Sequence, residues 1–175
     1  MTKITRFLFV KVILLFKEQL IDYKLSTYSV LNITSIFVYG TLKPGESNYQ
    51  RYCAGTVLEE KRAKALGQLF ALPFGYPAMT LGTSRVQGFL LSFPDATILD
   101  NLDWLEGYEP HKPAEQNEYN RQLVETYDSV ASLGWAWVYL MTPEQVHSHN
   151  GILIPHGWWS GCMSSSAHYT ELDTN

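Results

Sequence analysis

Short apolar runs separated by turn residues follow one another along the chain, and they predict strands more often than helices. The predicted strands cover residues 36–39, 63–72, 86–93, 119–127, 134–141 and, more briefly, 152–154. Gly67 interrupts the second run and predicts a bulge or bend there. Apolar residues occupy both faces of 134–141, which indicates a central strand.

Helical signals are fewer and are clearest between residues 95 and 106. Asp95 is a good N-cap residue there, and apolar side chains recur at helical spacing after it. A short helix or turn is predicted at 49–54, a turn at 73–77 and a loop after Pro143. Five or six strands with few helices, and no regular alternation between them, predict an α+β domain built on a small mixed or closed sheet.

The chain divides by pattern into an N-terminal extension (1–34), a central domain (35–163) and a flexible, small and polar tail (164–175). Residues 6–16 are strongly apolar but too short to span a bilayer, and Lys11 interrupts them. No small-residue cleavage site of a signal peptide follows. The favoured interpretation is an appended segment outside the functional domain. Peripheral membrane contact and an overlong assumed start are the alternatives.

Composition excludes few classes of function. The 175 residues are 46% hydrophobic and carry a formal net charge of −4, which disfavours nucleic acid as a partner. Cys53 and Cys162 form no CxxC pair and no common zinc motif, so a cytoplasmic location is the default. On a strand, His147 and His149 would lie on the same face and could bind a metal together. The favoured interpretation is that both are solvent-exposed histidines in a loop.

The loop after the first strand is the first candidate for chemistry. Gly40 and Gly45 can adopt positive φ and Pro44 fixes its own φ, so several backbone N–H groups could point at one anion. An ordinary turn is the alternative.

Glu106, at the predicted helix end, is the second candidate. On a helical wheel it borders the buried face, and burial together with the helix C-terminus would raise its pKa towards the range of a general base. From the wheel alone, however, a helix-ending Glu that reaches into solvent is the favoured interpretation.

Four short motifs in sequence order resemble the γ-glutamylcyclotransferase-like family. This family includes γ-glutamylcyclotransferases, γ-glutamylamine cyclotransferases and plant avirulence-induced (AIG2-like) proteins. The motifs are Val-Tyr-Gly-Thr-Leu-Lys at 38–43, Leu-Asp-Trp-Leu-Glu-Gly at 102–107, Tyr-Asn-Arg at 119–121 and Trp-Val-Tyr-Leu-Met at 137–141. The resemblance implies a small mixed β-barrel of five or six strands with flanking helices.

The resemblance also implies a reaction, in which the α-amine of a γ-glutamyl amine or amino acid attacks its own γ-carbonyl and releases 5-oxoproline. No metal or cofactor is implied. Glu106 matches the family's catalytic Glu, and Lys43 either adds charge to the site or faces water. The implied substrate-binding residues are Tyr39, Gly40, Thr41, Leu42, Tyr119 and Tyr139.

The same fold without catalysis, as a small-ligand binding or regulatory protein, is the alternative function. The sequence leaves the leaving amine and the oligomeric state open. Residues 109–118 form a predicted loop that could contact whatever follows the γ-glutamyl group.

Overall fold

A computed structural model describes residues 32–161, and its core is a closed, mixed β-barrel of five strands. Most of the predicted extension and the whole predicted tail lie outside these residues. The strands are β1 (Thr34–Val38), β2 (Glu59–Ala71), β3 (Pro77–Phe93), β4 (Asn120–Tyr127), β5 (Ser132–Leu140) and the short β6 (Ile152–Leu153). The helices are α1 (Tyr49–Tyr52), α2 (Ile98–Leu105) and α3 (Pro143–Ser148), with a 3₁₀ turn at Ala114–Gln116.

Strand pairing closes the barrel in the order β3-β1-β5-β4-β2, and β2 then pairs with β3. The β1–β5 pair is parallel and the other pairs are antiparallel. As predicted, β5 is central, because it lies between β1 and β4. The predicted irregularity at Gly67 is confirmed, since the β2–β3 register shifts between Gly67 and Gln68.

Two hydrophobic clusters hold this arrangement together. Every strand of the barrel contributes to one cluster, which includes Phe37, Met79 and Val138. The second cluster takes the opposite face of β1 and packs it against α2 through Ile98, Leu99 and Leu102. Because both faces of β1 are buried, the loop that follows it begins from a firmly held strand.

Three predicted elements have different bounds in the structure. The strand predicted at 86–93 is only the second half of β3, which begins at Pro77 inside the predicted turn. Helix α2 begins at Ile98, because the Asp95 carboxylate accepts a hydrogen bond from the Thr97 N–H (2.8 Å) and forms a turn before the helix. The loop predicted after Pro143 is the helix α3.

No helix within residues 32–161 is long and apolar enough to cross a membrane.

Candidate active site

A cavity of about 180 Å³ opens where the ends of β1, α2 and β5 approach the starts of β3 and β4. The expected catalytic residue, Glu106, and all the expected substrate-binding residues lie in its wall, whereas Lys43 does not. The wall is formed by Phe37, Val38, Tyr39, Gly40, Thr41, Leu42, Asn48, Tyr76, Pro77, Leu105, Glu106, Glu118, Tyr119 and Tyr139.

The loop after β1 folds into a compact turn on one side of this cavity. The Lys43 N–H donates to the Gly40 carbonyl (3.1 Å), and Asn48 donates both to the Thr41 carbonyl (2.9 Å) and to its hydroxyl (3.1 Å). Among the hydrogen bonds of the part of the chain that the structure describes, none uses the N–H of Gly40, Thr41 or Leu42. Three consecutive backbone donors in the cavity wall are therefore available to an anion.

Glycine at position 40 has a different explanation from the one that the sequence suggested. Gly45 has a φ of 86°, as expected, but Gly40 is not among the glycines with positive φ. A Cβ atom at position 40 would lie 2.7 Å from Cγ of Pro77, at the start of β3. Gly40 is therefore required by the close approach of the loop to Pro77, and not by its backbone conformation.

Glu106 is the C-cap residue of α2 and is fixed by its backbone on both sides. Its N–H donates to the Leu102 carbonyl (2.9 Å), and its carbonyl accepts from the Tyr119 N–H (3.1 Å). Within residues 32–161, no hydrogen bond or ion pair engages its carboxylate. Burial, together with the negative charge of Glu118, raises the pKa of Glu106 to about 8.

The rise in this pKa and its main cause, burial, agree with the less favoured interpretation of the helical wheel, and not with the solvent-facing Glu that the wheel alone favoured. The contribution of Glu118 was not indicated by the sequence. At neutral pH a large fraction of Glu106 keeps its proton, and the carboxylate that forms is a much stronger base than one in water.

Three of the four tyrosines of the cavity wall, those expected from the sequence to bind substrate, direct their hydroxyl groups at other parts of the protein. Tyr39 donates to the Tyr139 carbonyl (2.7 Å), Tyr119 to the Pro77 carbonyl (2.8 Å) and Tyr139 to the Asp103 carboxylate (2.7 Å). Neither Tyr119 nor Tyr139 donates to Glu106. Burial raises the pKa of all three phenols, so they form a neutral wall.

Lys43 does not face water and does not line the cavity. It is 1% exposed, pairs with Glu46 (3.2 Å) and donates to the Trp159 carbonyl (2.7 Å). Its ammonium group also lies 4.1 Å from the centre of the Trp158 ring. Lys43 therefore ties the loop to the C-terminal end of the domain, and the expectation that it adds charge to the site is wrong.

Two residues of the cavity rim were missed by sequence reasoning. Glu118 belongs to the predicted loop 109–118 and Tyr76 to the predicted turn 73–77, and the Tyr76 hydroxyl donates to Glu118 (3.0 Å). The position of Glu118, directly before Tyr119, was the one available signal. No group of three or more metal-ligating side chains occurs between residues 32 and 161, and His147 lies exposed on α3.

Comparisons with known proteins show the family to which this chain is similar. The profile of the family described as "Gamma-glutamyl cyclotransferase, AIG2-like" matches residues 36–161. One relative is the γ-L-glutamyl-butirosin B γ-glutamyl cyclotransferase of Niallia circulans, which is 33% identical over 107 residues. The matched region covers 60% of this chain and 66% of the relative, just under two thirds of its length. A Vibrio cholerae protein provisionally named γ-glutamylcyclotransferase is 32% identical over 71% of this chain and 93% of its own length.

Among solved structures, an AIG2-like protein from Mus musculus is similar in fold. It has a TM-score of 0.56 at 21% identity, with 82% of this chain and 97% of that one covered.

Proposed function

This chain belongs to the γ-glutamyl cyclotransferase, AIG2-like family, and on that premise we propose that it is a cyclotransferase that releases 5-oxoproline from a γ-glutamyl amine or γ-glutamyl amino acid. The observation that carries the proposal is the position of Glu106. Its unpaired carboxylate lies in the same cavity wall as the three free N–H groups of Gly40, Thr41 and Leu42.

The γ-glutamyl group presents an anion and an amine close together, and the two sides of the cavity suit them. The α-carboxylate would accept hydrogen bonds from the loop N–H groups. The α-amine would then lie towards Glu106, with the γ-carbonyl folded back within reach of its nitrogen. Because the nucleophile is tethered to its own electrophile, holding this folded conformation supplies much of the rate acceleration.

The bond changes need one proton acceptor and no protein nucleophile. Glu106 takes a proton from the amine as the α-nitrogen bonds to the γ-carbonyl carbon and forms a tetrahedral intermediate. As this intermediate collapses, the carbon–nitrogen bond to the leaving group breaks, and Glu106 returns the proton to the departing nitrogen. The products are 5-oxoproline and a free amine or amino acid, and Glu106 ends in its initial state.

The raised pKa of Glu106 suits this role. A peptide α-amino group has a pKa of about 8, and the α-amine of a γ-glutamyl compound is somewhat more basic because of its free carboxylate. The value of about 8 for Glu106 therefore lies within reach of the pKa of this amine. Proton transfer between groups of similar pKa is nearly isoenergetic, whereas an ordinary carboxylate with a pKa of 4.5 would be a far weaker base.

The test is 5-oxoproline release from a panel of γ-glutamyl amines and amino acids. We expect turnover by the wild-type chain and a loss of at least about 100-fold for Glu106→Gln, because glutamine keeps the shape but accepts no proton. Glu115→Gln is the matched control, since Glu115 is exposed on the 3₁₀ turn and lies outside the cavity wall. Undiminished activity of a folded Glu106→Gln variant would contradict the mechanism, and absence of turnover on every substrate would favour the non-catalytic, ligand-binding alternative.

A further inference from the structure

Glu118 provides a second carboxylate in the cavity wall, at its solvent-exposed rim. The side chain accepts a hydrogen bond from Tyr76 through one oxygen, Oε1. None of the ion pairs formed by residues 32–161 involves Glu118. Within the described part of the chain, no cation pairs with its negative charge, and its second oxygen, Oε2, accepts no hydrogen bond there.

The backbone around Glu118 is held firmly although its side chain is exposed. Asn117 and Tyr119 on either side are buried, and the Asn117 carbonyl accepts from Nε2 of Gln145 (2.6 Å). The Glu118 N–H donates to the Gly107 carbonyl (3.3 Å), and a Cβ added to Gly107 would lie 3.0 Å from Cβ of Glu118. Glu118 thus packs against the residue that directly follows Glu106, so its charge has a defined place beside the base.

No cation balances these carboxylates within the cavity. The wall contains Glu106 and Glu118 but no Lys, Arg or His. The nearby cations are paired elsewhere, Lys43 with Glu46 and Arg121 with Asp103. The neutral N–H groups of the loop are donors, but every acidic or basic side chain of the wall is a carboxylic acid.

We propose that Glu118 selects γ-glutamyl compounds whose leaving amine carries a second, positively charged amino group, and that it disfavours leaving groups that carry a carboxylate. The inference rests on the proposed function, because that function fixes the orientation of the ligand. With the α-carboxylate on the loop and the scissile nitrogen beside Glu106, the rest of the leaving group passes Glu118 on its way to solvent. An ammonium there gains an attractive partner, whereas a carboxylate meets the like charge of Glu118.

The expected size follows from the exposure of Glu118. Exposed ion pairs change affinity by a factor of about two to five, and the effect weakens with added salt. A cationic and an anionic substrate respond in opposite directions, so the ratio of their kcat/KM values should change by about 10-fold when the charge is removed.

The experiment uses three γ-glutamyl amides that differ only at the end of the leaving group. They are the amides of 1,3-diaminopropane (ammonium end), butylamine (neutral end) and 4-aminobutyrate (carboxylate end). We expect wild-type kcat/KM to fall in that order at low salt. Glu118→Gln should reduce the ratio of the first to the last by about 10-fold, Glu118→Lys should invert it, and Glu115→Gln should leave it unchanged.

The ratio isolates the selectivity from the effect of Glu118 on the base. Removing this charge also lowers the pKa of Glu106, but that change acts equally on all three substrates. Turnover of all three with a ratio that is the same in wild type and Glu118→Gln would overturn the inference and leave the proposed function standing.

Binding supplies a test that does not depend on turnover. Calorimetry of the ammonium-ended and carboxylate-ended amides with Glu106→Gln, with and without Glu118→Gln, measures the same preference in an inactive site. A Kd ratio that favours the ammonium end and falls on removal of Glu118 supports the inference even if no 5-oxoproline is formed. A ratio insensitive to Glu118 overturns it.

Discussion

Replacing Glu106 by Gln should make the protein more stable at alkaline pH while it removes activity. Burial raises the pKa of Glu106 from 4.5 to about 8 in the folded chain. Between these values the folded state keeps the proton and the unfolded state releases it. The free energy of unfolding therefore falls by about 1.4 kcal/mol for each pH unit across this window.

The direction follows from which state holds the proton. Below pH 4.5 both states are protonated, and Glu106 makes its full contribution to stability; that contribution is lost as the pH rises through about 8. The upper limit of the loss is about 5 kcal/mol. Because the cavity is open to water, we expect a smaller loss of about 2–3 kcal/mol.

The assay is urea unfolding of wild type, Glu106→Gln and the control Glu115→Gln at pH 5, 7 and 9. Relative to wild type, Glu106→Gln should gain about 2–3 kcal/mol between pH 5 and pH 9, and the control shows any general effect of removing one negative charge. The wild-type kcat/KM should rise with the same midpoint as the stability difference, because both report the ionisation of Glu106. A stability difference that is constant from pH 5 to pH 9 would refute the reasoning, since it would mean that Glu106 ionises as it does in water.

Two further predictions concern the loop. Gly40→Ala should raise KM about 10-fold, because the new Cβ would lie 2.7 Å from Cγ of Pro77 and displace the loop N–H groups. The control is Gly45→Ala, which has a strained φ of 86° but open space around it, and which should lower the free energy of unfolding by about 1 kcal/mol and leave KM unchanged. Equal KM values for the two variants would contradict this explanation. Lys43→Met should lower the free energy of unfolding, measured in urea, by about 2–4 kcal/mol, because it leaves Glu46 without its buried partner. Adding Glu46→Gln to this variant should recover part of the lost stability. If nothing is recovered, the ion pair is not the source of the loss.

The pattern of the sequence predicted the parts of the fold whose signal is local. Apolar runs mark β1 and β5, and the apolar residues on both faces of β5 correctly indicate a central strand. The first half of β3 has no such run, and it is a strand because it pairs with β2 along almost its whole length. Helix α3 was missed because its signal is a capping box formed by Thr142 and Gln145, which outweighs the loop character of Pro143.

The site was predictable as a set of residues but not as a geometry. The helical wheel placed Glu106 at the border of the buried face but favoured a side chain that reaches into solvent, and the resemblance of the motif at 102–107 to the family singled Glu106 out. The contact of Glu118 with Tyr76 joins positions 42 residues apart, so only the tertiary fold reveals it. The same holds for the hydroxyl of Tyr139, whose acceptor Asp103 lies on a different element.

The comparison of Asp103 with Glu106 shows why the cavity binds its proposed anion with backbone groups. Both carboxylates lie at the end of α2, but Asp103 pairs with Arg121 (2.7 Å), whereas Glu106 has no cation beside it. A Lys or Arg in the cavity would bind the α-carboxylate of a substrate, but it would also stabilise the charged form of Glu106 and lower its pKa. Neutral N–H groups hold the anion with less effect on the base, and the bound carboxylate adds a negative charge that keeps the pKa of Glu106 high. The buried Lys43 anchors the loop from outside the cavity wall. The loop can therefore present its free N–H groups without placing a cation beside Glu106.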